Sequence, residues 1–364
     1  MTGFDDTLLD DPVRLAEADT EARLRAAAMA GAQVRASAEI AREQDLARHL
    51  DVDRPRALVL AGRQGTGRAA MRVIASLLAP GCPVPVVVTD VVPNWVGALD
   101  VVYAFTADPG DDELAVSLDR AVRYGATVVL TAPPEGPVAA AVAGRGLLIS
   151  PQLRGAIPES FPCALITGLL TVSGLNLLPV DVDLVADQLD AEAERNHLGH
   201  ESFVNPAKSL ALRWAERTPL LWGLDPVAAA VAGYGAHALA ADAAVVADAA
   251  EYRHAVTRVA LHRAVVNEHT GSSIFADPEE EAQDGVVPRI RLLLVAIRTD
   301  AAASVVRRSA HEVLPEAEVL DMADELGVAE PALAAVLALR MEMAALYLGL
   351  ASGTVGGRYH SVQA

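Results

Sequence analysis

Ala57-Leu58-Val59-Leu60-Ala61-Gly62-Arg63-Gln64-Gly65-Thr66-Gly67-Arg68 passes from five apolar residues into a glycine-rich loop and then into a segment of helical apolar spacing. A short apolar run bounded by glycine reads as a buried strand, so the unit is strand, loop, helix. Four more short runs, rich in β-branched residues, follow at Val84–Thr89, Val101–Phe105, Thr127–Thr131 and Leu147–Ser150, most of them separated by helical stretches. Strands alternating with helices predict βαβ units and a parallel sheet over roughly residues 50–152, with ligands expected outside the carboxyl ends of its strands.

The loop itself offers free backbone N–H groups beside a strand's carboxyl end, the arrangement that receives an anion. Gly65 and Gly67 let the backbone approach a ligand closely, and Thr66 adds a hydroxyl donor. Three readings stay open for these residues. One is a cradle for a phosphosugar, the second a dinucleotide site with Asp90 on the ribose hydroxyls, and the third a glycine-rich turn without a ligand.

Outward from this core, Pro12–Leu50 reads as a helical N-terminal segment, with Leu, Ala and Met recurring at three- and four-residue steps. An apolar stretch from Pro158 to Asp190 leaves the first sheet as helix, and the polar segment Ala191–Ser202 marks a boundary. Asn205-Pro206-Ala207-Lys208 then opens a helix, with Asn as N-cap and Pro at the first helical position. Strands are expected at Pro219–Gly223, Val245–Ala247 and Arg289–Ile297, with a long Ala-rich helix from Pro226 and a last helix from Pro331 to about Leu350, stopped at Gly353. The α/β pattern therefore occurs twice. The expected division is a helical segment 1–50, a first α/β domain with its exit helix 51–190, and a second α/β domain with a C-terminal helix 191–364.

Composition narrows the partners. The 364 residues carry a formal charge of −19, which opposes counterion release at nucleic acid and adhesion to anionic membranes, so neither partner is expected. Lys208 is the single lysine, which nearly excludes lysine catalysis. Cys82 and Cys163 suggest neither a disulfide framework nor a thiolate metal site, and the acidic start Met1–Asp11 lacks the features of a signal peptide; a cytoplasmic protein is expected. The apolar run Pro331–Ala351 carries Arg340 and Glu342 and reads as buried helix, not membrane span. His197-Leu198-Gly199-His200-Glu201 lacks the spacing of helical zinc signatures, and the acidic segment Asp277–Asp284 reads as a solvated loop, so no metal is expected.

Taken in order, the Gly62–Arg68 loop, Pro83–Asp90, Pro93-Asn94-Trp95-Val96-Gly97, Val101–Glu113, Asn205–Lys208 and Thr218-Pro219-Leu220-Leu221-Trp222-Gly223 resemble the bifunctional phosphoglucose/phosphomannose isomerases. These are SIS-domain phosphosugar isomerases. The resemblance spans roughly residues 55–260 and is most specific at the Asn205 helix and the Thr218–Gly223 segment. It implies two tandem SIS (flavodoxin-like) α/β domains after the N-terminal helical segment, each a parallel sheet flanked by helices. It further implies a homodimer, a sugar-phosphate ligand and no cofactor.

Residue by residue, the resemblance assigns the phosphate to Gly65, Thr66, Gly67 and Thr106, and general acid–base work to His254, Asp242 and His360. His254 stands in Glu251-Tyr252-Arg253-His254, where the family has Glu-Leu-Asn-His; Asp242 lies near the family's Glu-Asn pair; His360 and Arg358 are what remain near its C-terminal lysine. The second loop departs from the family. Its hydroxyl-rich segment is here Thr106-Ala107-Asp108-Pro109-Gly110-Asp111-Asp112-Glu113, with Asp108 and Asp111 at hydroxyl positions. At an effective dielectric of about 20, unit charges about 4 Å apart repel by about 4 kcal/mol, more than a hydrogen bond returns. Arg63 or Arg68 could neutralise either carboxylate, or the loop is a solvent-facing turn with Asp111 or Asp112 starting a helix. Pro158-Glu159 stands where the family has Pro-Arg. With these changes the alternative is an inactive family member, acting as a dimeric scaffold or as a regulator in sugar metabolism.

Overall fold

The computed structural model describes residues 4–151, 160–270 and 290–356. Helices α1 (Pro12–Ala18), α2 (Arg23–Ala28), α3 (Ala30–Glu43) and α4 (Leu46–His49) precede β1 (Ala57–Gly62). There follow α5 (Thr66–Leu78), β2 (Val86–Thr89), β3 (Asp100–Phe105), α6 (Asp112–Arg123), β4 (Thr127–Thr131), α7 (Gly136–Val142) and β5 (Leu147–Ile149). The exit helices are α8 (Phe161–Gly174) and α9 (Val182–Arg195). Then come α10 (Pro206–Trp214), β6 (Thr218–Gly223), α11 (Pro226–Ala243), β7 (Asp248–Glu251), α12 (Tyr252–Ala255) and α13 (Val259–Thr270). The chain continues with β8 (Ile290–Ala296), α14 (Ala301–Val313), β9 (Glu318–Asp321), α15 (Ala323–Leu326) and α16 (Glu330–Ser352).

Two compact units result, one of residues 25–194 and one that joins 1–24 to 195–364. The N-terminal helical segment is thus divided between them, where the sequence suggests one piece. Hydrogen bonding accounts for part of the division: Asp5 N donates to Ala351 O at 2.9 Å, and Ser202 N donates to the Asp10 carboxylate at 2.6 Å. The remainder, α3, packs on α8. The division falls at 194/195, within α9, and not at 190/191.

In the first unit all strands are parallel, in the order β2-β1-β3-β4-β5. The order reverses between β1 and β3, and the crevice at their carboxyl ends is the place such sheets bind ligands. Every residue of β1 and β3 is buried, because helices cover both faces, and this is why their sequences are continuous apolar runs. Val59, Ala61, Val102 and Ala104 pack with Leu114 and Leu118 of α6 in one core cluster.

The second unit repeats the plan with four parallel strands in the order β7-β6-β8-β9. Its β7 lies three residues beyond the expected start at Val245, and Val246 is exposed. The two edge strands, Asp248-Ala-Ala-Glu251 and Glu318-Val-Leu-Asp321, each pair on one side only and have no full apolar run to display. The last helix, α16, is buried along nearly its whole length, Arg340 included, and packs on α10 and α11. It is long and apolar enough to cross a membrane, yet 94% of its apolar window is buried inside the protein.

Candidate functional site

The loop after β1 turns sharply at Gly65, whose φ of 104° and ψ of −146° are open in practice only to glycine. Thr66 begins α5 and is buried. The next helical amides fold back on the loop, Arg68 N to Arg63 O at 2.8 Å and Ala69 N to Gly65 O at 3.0 Å. The first amides of the helix have no intrahelical carbonyl to reach. A Cβ on Gly67 would lie 3.1 Å from Phe105 Cδ1, so α5 meets the end of β3 at this residue. Beside that contact a pocket of about 410 Å³ opens at the β1/β3 switch point, lined by Arg63, Gln64, Gly67, Thr106, Asp108 and Asp111 among others.

Of the four residues expected at the phosphate, Gly67 and Thr106 line this pocket, and Gly65 and Thr66 form the turn and helix start behind it. Thr106 Oγ1 accepts from Asp108 N at 3.1 Å, which folds the second loop over the carboxyl end of β3. Asp108 accepts from Gly110 N at 2.8 Å in turn fashion, and Asp111 caps α6 by accepting from Leu114 N at 3.0 Å. The two arginines divide the acids. Arg63 forms a two-pronged pair with Asp111, Nε to Oδ2 and Nη2 to Oδ1 both at 2.7 Å, and also reaches Glu113 at 2.9 Å. Arg68 pairs with Asp90 instead and donates to Gly62 O at 3.2 Å. The Arg63 guanidinium holds the Asp111 carboxyl below the usual carboxylate range, against the opposing effect of burial. Gln64 and Phe105 belong to the pocket as well; only their place beside Arg63 and Thr106 in the sequence could have signalled them.

The two described acid–base candidates, His254 and Asp242, lie in the other unit and do not meet one another. His254 is exposed on α12, directly past the carboxyl end of β7. Asp242 is buried near the end of α11, before β7 begins, and pairs with Arg23 at 2.7 Å. The two therefore sit at opposite edges of the second sheet, because α11 runs antiparallel to the strands it connects. His360, Arg358 and Glu159 lie outside the described residues, as does the acidic segment 277–284.

Two features escaped the sequence reading. Asp225 stands at the carboxyl edge of the second sheet, 3% exposed, and caps α11 through Oδ1, which accepts from Val227 N and Ala228 N at 3.0 and 2.9 Å. Its Oδ2 accepts from Ile297 N and Arg298 N at 2.9 and 3.0 Å, at the end of β8. The signal was an Asp before Pro at a strand end. The second feature is Glu342 of α16, which accepts from the Tyr234 hydroxyl at 2.8 Å. Burial and then the neighbouring Asp242 push Glu342 up to about 7, while the Tyr234 hydrogen bond and Arg23 pull the other way.

The His197–Glu201 segment has a structural explanation. His197 Nδ1 accepts from Gly199 N at 3.1 Å, and the buried Lys208 donates to Leu198 O and His200 O at 2.8 and 2.6 Å. Among the described residues no three His, Cys, Asp or Glu side chains gather as a metal site.

No family model and no curated protein matches the chain. Solved structures do. The C-terminal domain of glucosamine-fructose-6-phosphate aminotransferase from Francisella tularensis has a TM-score of 0.59 at 10% identity, over 94% of this chain and 96% of its own. Tagatose-6-phosphate ketose/aldose isomerase from Escherichia coli gives 0.58 at 10% identity, over 91% and 92%. A hypothetical protein from Thermus thermophilus gives 0.61 at 14% identity, over 96% and 94%. At such identities the likeness is one of architecture, and the chain has the SIS-type fold of these structures, two parallel sheets flanked by helices.

Proposed function

We propose that the first unit binds a sugar phosphate in the Gly67–Thr106 pocket, with the phosphate toward Arg63 and the start of α5 and the sugar toward Gln64. One observation carries this reading: a pocket of about 410 Å³ at the β1/β3 switch point, where a helix start, a threonine hydroxyl and an arginine converge. The names of the Francisella and Escherichia proteins, both of which refer to sugar 6-phosphates, agree with it. The finer form of the proposal is a protein of the phosphoglucose/phosphomannose isomerase type that interconverts aldose and ketose hexose 6-phosphates, with His254 as the acid–base candidate that the sequence resemblance assigns. Calorimetric titration of the full chain with glucose 6-phosphate, mannose 6-phosphate and fructose 6-phosphate tests it. At least one should bind at millimolar concentration or below, and Thr106→Val should weaken that binding roughly fivefold, the loss of one hydrogen bond. No heat from any of the three removes the reading.

A second reading is favoured by the separation of His254 from Asp242 across the second sheet and by the engagement of Asp242 with Arg23. A proton-transfer mechanism needs a placed base and a stabilised oxyanion together. In this reading the chain is a catalytically inactive homodimer that binds the sugar phosphate as a scaffold or regulator. It predicts binding without interconversion in a coupled isomerase assay, no change on His254→Ala, and a dimer by light scattering. Interconversion that His254→Ala abolishes without unfolding decides for the enzyme.

A further inference from the structure

We propose that Asp111 is a resident anion of the first-unit pocket, which competes with an incoming phosphate for Arg63 and thereby sets how tightly the site holds phosphate esters. The inference rests on the reading of this pocket as a sugar-phosphate site and adds its specificity determinant. Among the described residues that line the pocket, Arg63 is the one cation. Both of its bonds to Asp111 are 2.7 Å, and the same carboxylate accepts from Leu114 N at the start of α6. A guanidinium fork plus a helix-start amide is the donor set that a phosphate oxygen pair would take. Asp111 already has it.

The second sheet shows what a permanently filled anion seat looks like in this protein. Asp225 sits at the corresponding β6/β8 switch point with four backbone donors and 3% exposure. Asp111 differs in the property that matters for exchange. It is held by one backbone amide and one side chain, and that side chain, Arg63, is 36% exposed. The guanidinium can therefore turn from Asp111 to a ligand without unmaking the fold, and Glu113, 70% exposed, offers it little hold. Asp108 adds a second negative charge, so the described lining is net negative with Arg63 counted. Among the described lining residues, a phosphate ester finds its cation only by displacing Asp111 from Arg63.

The test uses the full chain, wild type against Asp111→Ser and Asp111→Asn. Both replacements keep an oxygen that can accept from Leu114 N and cap α6. Binding of inorganic phosphate and of glucose 6-phosphate is measured by calorimetry at pH 7.5, with thermal melting of each variant as a check. Both variants should bind both probes roughly tenfold tighter or more, since a charge-assisted pair becomes free for the ligand. The gain should vanish when Arg63→Met is added. Binding equal to or weaker than wild type in variants that melt normally overturns the proposal, as does a gain that survives without Arg63. Two outcomes separate this inference from the sugar reading. If the variants gain inorganic phosphate but nothing binds glucose 6-phosphate, the role of Asp111 stands and the sugar ligand falls. If glucose 6-phosphate binds wild type and the variants gain nothing, the reverse holds, and if no probe binds any form both fall.

Discussion

Lys208 has no exposed surface, and its ammonium donates to two carbonyls of the 197–201 turn and lies 5.4 Å from the Tyr347 ring centre. Burial lowers its pKa, and Asp10 pulls the other way. Lys208→Met should cost about 3 kcal/mol in urea unfolding, because two carbonyls lose their donor inside the protein; an unchanged midpoint would show that the turn is held by other bonds. Sequence reading recognised the helix start at Asn205 but could not see this role, because the carbonyls it serves belong to a turn whose shape is not encoded in residue type. Glu342 presents the opposite case, an acid whose folded-state pKa stands above its value in the unfolded chain. Its protonated form is the one the fold favours, so the stability it contributes is complete below about pH 4.5 and is lost as pH rises through about 7. Glu342→Gln should flatten that fall, and melting temperatures of the two proteins at pH 5 and pH 8 check it. A difference between them that is the same at both pH values would count against the assignment.

At the scale of elements, the corner from β6 to α11 depends on one carboxylate. Asp225 joins the start of α11 to the end of β8 by offering each oxygen to two amides. An Asn of the same size could face only one of those amide pairs with its oxygen and would turn an NH₂ group toward the other. Asp225→Asn should therefore destabilise the second unit by about 3 kcal/mol although it changes no volume. A loss below about 0.5 kcal/mol in chemical denaturation would mean the four contacts matter little. The strands themselves divide by legibility for a related reason. β1, β3, β4 and most of β8 are buried, and burial demands the apolar, β-branched runs that the sequence displays. β7 and β9 are edge strands with carboxylates at both ends, so β7 was expected too early, at the Val245-Val246 pair, and β9 was not expected at all.

For the molecule as a whole, the two parallel sheets were legible in the alternation of strands and helices, and the edge proposed for the ligand follows from the strand order of the folded sheet. The candidate site was legible in part. Gly67 and Thr106 could be read because the loops that carry them directly follow buried strands, whereas the partition of Arg63 to Asp111 and Arg68 to Asp90 depends on distances that only the folded loops supply. The two sheets, built alike, are predicted to differ in function, since the second has its own carboxylate locked into the edge where the first leaves a pocket. Hydrogen–deuterium exchange of the full chain with and without saturating fructose 6-phosphate tests that difference most directly. The expected result is slowed exchange in peptides covering residues 63–69 and 106–114, with no change at 223–229 and 297–300. Protection confined to the second set, or none in either, would contradict the assignment of the ligand to the first sheet.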